Sequence, residues 1–120
     1  TRFTGYLSSG EKTTLYQNAD AMVFPSLYEG FGMPPLEAML FGCPVICADA
    51  ASLPEIAGTA AELVDPLDVQ GIAQGIWRVL SDSGRRAALV EQGRQQAVRF
   101  SWDRSAEKMI KICRETLDGK

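Results

Sequence analysis

The sequence predicts an α/β fold, a parallel sheet with helices on its faces that ends in a helical segment. Three observations carry this. In the first half, short apolar runs alternate with helix signals across short connections, the pattern of a parallel sheet. The pair Pro34 and Pro35 follows one such run and a glycine turn, and prolines side by side open a helix but do not sit inside one. Beyond Pro66 there is no further proline, and the apolar residues recur at a helical period.

Taken in order, residues 3–6 read as a strand and 11–18 as a helix after the turn at 8–10. Residues 21–24 have the apolar run of a buried strand, 34–40 form the proline-started helix, and 44–48 form another strand. Ser52 and Glu55 have the spacing of a capping box, so a short helix is expected there, with Ser52 satisfying a backbone N–H and Glu55 reaching back. Residues 62–64 suit a last strand, ended by Asp65 and Pro66. Asp68 can cap a helix whose Val69, Ile72, Ala73, Ile76, Val79 and Leu80 share a face. Gly71 and Gly75 also share a face, which predicts close packing on the sheet. A helix over 84–99 and another from 102 to about 117 complete the chain. Ser101 caps the latter, and its stripe of Trp102, Ala106, Met109, Ile110, Cys113 and Leu117 is expected to pack. The chain is thus one domain, with a β/α part over 1–66 and a helical part over 67–120.

The candidate site is the stretch EGFGMPPLE at 29–37, in which Glu29 and Glu37 are separated by seven residues. Glu29 to Gly32 is the strand-to-helix turn, and in open α/β sheets ligands bind at the carboxyl ends of strands, where this turn falls. Gly30 and Gly32 leave the backbone bare, and the N–H groups at the start of the following helix point outward. Such amides suit diphosphate or sugar oxygens, whereas carboxylates accept pairs of hydroxyl hydrogens, as the vicinal diols of sugars offer. The mixture fits a nucleotide-sugar. The blander alternative makes Glu37 a first-turn acid stabilised by the helix dipole and Glu29 a solvated loop residue.

These residues carry a resemblance. PSLYEGFGMPPLEAM at 25–39 followed by GCPVI at 42–46 closely resembles the retaining glycosyltransferases of family 4, whose signature is this E-x7-E motif. The likeness continues through SLPE at 52–55, GTAA at 58–61, LVDP at 63–66 and FSW at 100–102, nearly the whole chain. It implies a GT-B-type enzyme of two Rossmann-like domains, of which this chain is the later part of the second, an excised or partial donor-binding domain lacking its N-terminal acceptor domain. It further implies that Glu37 accepts ribose hydroxyls of the donor and that Glu29 contacts the hexose and orients it for transfer. The backbone N–H groups of Gly30, Phe31, Gly32 and Met33 then contact the sugar and diphosphate, and Leu36 joins the donor-binding set. The reaction implied is hexose transfer to an acceptor hydroxyl with retention. A fragment alone is expected to be inactive. The arginine and lysine that such enzymes set on the diphosphate match nothing here, so the cations that must offset two carboxylates are expected from elsewhere. No Asp-x-Asp motif is present, and no metal or other cofactor is expected.

Other readings stay open: a sugar-nucleotide-binding or interaction module without catalysis, or part of a glucan synthase or epimerase of the same fold. Nucleotide and sugar identity are not legible. Net charge is −3 and the basic residues are scattered, which argues against nucleic acid. Three cysteines and no secretory signal point to reduced thiols in the cytoplasm, and without any histidine Cys43 and Cys47 read as buried thiols rather than zinc ligands. No run is long enough to span a bilayer, so any membrane association is peripheral and falls to the missing domain. An open sheet edge and uncovered apolar surface predict self-association.

Overall fold

The computed structural model describes residues 1–119. Three parallel strands, β1 (Met22–Phe24), β2 (Val45–Ala48) and β3 (Ala61–Val64), lie in the order β1-β2-β3. The register sets Met22 beside Val45 and Val45 beside Ala61. Six helices surround and follow them among the described residues: α1 (Ser9–Asn18), α2 (Met33–Leu40), α3 (Leu53–Ala57), α4 (Val69–Ser81), α5 (Ser83–Ala97) and α6 (Trp102–Leu117).

Central strand β2 is buried along its whole length, and its alternation divides the core. Val45 and Cys47 point into a cluster with Leu36 and Met39 of α2 and Leu53 and Ile56 of α3. Ile46 points to the opposite face, where Val79 of α4 and Leu89 of α5 cover it together with Val64. Helix α5 continues past the sheet to α2, where Gly93 lets the backbones approach. A Cβ there would stand 3.1 Å from Met39 Cγ. Gly75 does the same for α4 on β3, since a Cβ would lie 2.6 Å from Val64 Cγ1. Cys43 and Cys47 are buried, and burial pushes both thiols up, Cys47 to about 11.

Several expectations are corrected. Residues 3–6 form no strand: Phe3 and Tyr6 are exposed, and Gly5 at φ 65° breaks the extension that a ladder needs. The capping box lies at the start of α1 instead, where Ser8 and Glu11 bond each other's backbone N–H groups at 3.4 and 2.9 Å. On α4 only Val79 of the predicted stripe is fully buried. Ile72 and Ile76 pack partly, while Val69, Ala73 and Leu80 are exposed. Gly71 meets its own cap residue Asp68 rather than the sheet. The largest departure is α6, which buries no residue. Trp102, Met109, Ile110, Cys113 and Leu117 are all exposed, so the stripe exists as a pattern but is not buried. Among the described residues no helix is long and apolar enough to cross a membrane.

Candidate functional site

The turn between β1 and α2 lies at the carboxyl end of edge strand β1, as read from the sequence, and its shape follows from Gly32. That residue is the N-cap of α2 at φ 106° and ψ 44°, a conformation that L side chains resist. A Cβ on it would come within 2.9 Å of Leu53 Cδ2, a side chain that is itself buried. Gly32 thus serves both the turn and the close packing of α3 beneath it. Gly30 has open space where a Cβ would be, so its bareness serves no packing contact.

Pro34 and Pro35 occupy the second and third positions of α2 and carry no N–H, which removes two donors from the helix start. Those that remain are upstream. Among the described residues no acceptor reaches the backbone N–H groups of Gly30, Phe31, Gly32 or Met33. Four free amides in succession at the positive end of a helix dipole are donors of the kind that suit oxyanions or sugar oxygens.

The loop is held from below. Ser52 lies before α3, but its side chain makes no cap bond, and its backbone at φ −80° and ψ −12° is already helical. Its hydroxyl instead reaches the carbonyl oxygens of Glu29 and Phe31, each at 2.9 Å, and donates its one proton to either. The capping-box reading of Ser52 and Glu55 is therefore wrong, and Ser52 alone ties the loops after β1 and β2. Ala51, just before it, sits at φ 51°, a strained setting for a residue with a Cβ and an observed outlier beside the site.

Glu29 is half-buried, and Ser26 Oγ donates to its Oε1 at 3.0 Å. Phe31 leans edge-on against Phe100, ring centres 5.9 Å apart, which brings the segment before α6 up to the loop. Leu36 is buried in the core, yet it also lines the groove that Glu37 borders. Glu37 is the fifth residue of α2, in its second turn, so it is not a first-turn acid held by the dipole. Its carboxylate borders a groove of about 410 Å³ whose walls include Met33, Leu40, Phe100 and Trp102.

Sequence reasoning missed the partners of Glu37. Helix α1 brings Lys12 Nζ to 3.3 Å and the Tyr16 hydroxyl to 3.5 Å from Glu37 Oε2. Tyr16 stacks on Phe41, ring centres 6.3 Å apart, and the Phe41 N–H closes α2 onto the Glu37 carbonyl at 3.2 Å. Burial, followed by the charge of Glu37, pushes the Tyr16 phenol up, so it remains a donor. A cation therefore stands beside Glu37, although nothing local in the sequence marks Lys12 as facing a residue 25 positions away.

Comparison with known proteins gives the family. Residues 1–96 match the family described as glycosyl transferases group 1. The chain belongs to that family. It is 41% identical to the O-antigen chain mannosyltransferase B of Escherichia coli over 91% of this chain and 29% of that protein. It is 36% identical to the MMP alpha-(1->4)-mannosyltransferase of Mycolicibacterium hassiacum, covering 88% of this chain and 27% of that one. The sucrose-phosphate synthase of Thermosynechococcus elongatus superposes with a TM-score of 0.87 at 30% identity, over 99% of this group 1 chain and 31% of the synthase. The α/β fold expected of a GT-B second domain is thus the fold found. This group 1 chain spans less than a third of each of these relatives.

Proposed function

We propose that this chain is the donor-binding portion of a retaining glycosyltransferase that moves a hexose from a nucleoside-diphosphate sugar to an acceptor hydroxyl. The observation that carries the reading is the loop at the carboxyl end of β1, where four successive backbone N–H groups have no partner among the described residues and are bracketed in the chain by Glu29 and Glu37. In this reading Glu37 accepts the ribose hydroxyls, and Glu29 orients the hexose. The amides of Gly30, Phe31, Gly32 and Met33 meet sugar and diphosphate oxygens. Departure of the diphosphate leaves an oxocarbenium-like centre, so holding the leaving group is the main electrostatic task. Backbone donors supply part of that stabilisation here, without a metal. Neither glutamate acts as a nucleophile, since each serves as a ligand to hydroxyls. Relatives named as mannosyltransferases favour mannose as the sugar.

Calorimetric titration with GDP, UDP and ADP and with their mannose and glucose conjugates tests the division of labour. Glu37→Gln is expected to weaken the free nucleoside diphosphate and its sugar conjugate alike, by about 1.5–3 kcal/mol, the worth of bonds to an ionised acceptor. Glu29→Gln is expected to weaken the conjugate by a similar amount and to leave the free diphosphate unchanged. Equal effects of both variants on both ligands would contradict the assignment.

A further inference from the structure

We propose that Lys12 and Tyr16 are positioning residues of the donor site, holding one oxygen of the Glu37 carboxylate so that the other is presented to the ribose diol. The inference rests on the reading of Glu37 as the ribose ligand. Both contacts from α1 fall on Oε2, and among the described residues Oε1 accepts from no donor. A glutamate on a helix surface is ordinarily free to turn about its side-chain bonds, and a carboxylate must be still to accept two hydroxyls at once.

The positioning pair is itself fixed. Tyr16 is half-buried, and its ring lies nearly parallel to that of Phe41 at 12°. Phe41 is the C-cap of α2, the helix that carries Glu37, so ring and carboxylate ride on one rigid element. Lys12 Nζ adds a second contact on the same oxygen, at 3.3 Å. Helix α1 buries no residue fully, so it contributes little to the core, and this pair is where it meets α2.

A purely structural ion pair between helices predicts something different, and titration of the intact chain with GDP and UDP and with their 2′,3′-dideoxy counterparts separates the two. Tyr16→Phe and Lys12→Met should each weaken ribonucleotide binding by about three- to tenfold, the scale of one hydrogen bond or partly exposed ion pair. Binding of the dideoxy ligands should be unchanged. Lys12→Arg should restore affinity to within about twofold, and in a Glu37→Gln background neither change should have further effect. Tyr16→Phe keeps the stacked ring and so keeps the test valid if Lys12→Met fails to fold. Ribonucleotide affinity unchanged in both variants, equal losses for ribo and dideoxy ligands, or additivity with Glu37→Gln would overturn the proposal. If the unaltered chain itself binds ribo and dideoxy ligands equally, the ribose assignment of Glu37 fails first and the positioning role falls with it.

Discussion

Replacing Gly32 with valine is expected to destabilise the chain by about 3 kcal/mol, measured as a lowered urea midpoint. Two costs combine. A non-glycine residue at φ 106° costs about 1–2 kcal/mol, and forcing side-chain atoms into a filled space costs about 1–3 more. The obstacle is Leu53 Cδ2, which would lie 2.9 Å from the first added carbon and, being buried, can turn away only against other core side chains. Gly30→Ala is the control. With no atom within 4 Å of the added carbon and no positive φ, it should change stability by less than about 0.5 kcal/mol. Any loss of donor binding in Gly30→Ala is then a loss of backbone access rather than of fold.

The second large effect belongs to Glu62, which the strand assignment passed over as an ordinary residue of β3. Its carboxylate is buried beneath α4 and α5, where Arg78 reaches Oε1 at 2.7 Å and Arg85 reaches Oε2 at 2.8 Å. Burial alone raises the carboxyl pKa, but the hydrogen bonds and charges of Arg85 and Arg78 outweigh it, and the net shift is downward from 4.5. Removing both arginines leaves a buried charge without partners, and Arg78→Ala with Arg85→Ala should cost about 2–3 kcal/mol. Adding Glu62→Gln to that pair should recover part of the loss, because an amide costs less to bury than a carboxylate.

The sign with pH follows from the lowered value. Because Glu62 binds its proton less readily in the fold than in the unfolded chain, its stabilisation is present above the unfolded pKa near 4.5. It is lost as pH falls through the folded pKa. Urea midpoints of the unaltered chain should therefore fall more steeply below pH 4.5 than those of the double arginine variant.

What was legible in the sequence was local. The prolines of α2, the apolar run of β2 and the caps Asp68 and Ser101 act within a few residues, and each element appears where those signals put it, give or take a residue. Ser52 shows where local reading stops. Its spacing to Glu55 satisfies the capping pattern, yet two carbonyls more than twenty positions away compete for the same hydroxyl and win. Residues 3–6 have strand-like composition, but strand structure requires a partner, and among the described residues none pairs with them. Periodicity identified the apolar face of α6 and could not say what, if anything, covers it. The E-x7-E loop was recognisable because its glycines and prolines constrain the backbone directly. Lys12, Tyr16 and the Arg78–Glu62–Arg85 cluster were not, since charge pairing across the fold leaves no fixed spacing.

The most direct test of the donor site is the backbone amide spectrum of the chain titrated with a nucleoside-diphosphate mannose. Saturable shifts that centre on the amides of Gly30, Phe31, Gly32 and Met33 and disappear with Glu37→Gln are the predicted result. Shifts that centre elsewhere on the fold, or that persist unchanged in Glu37→Gln, would contradict the assignment of this loop as the place where the donor binds.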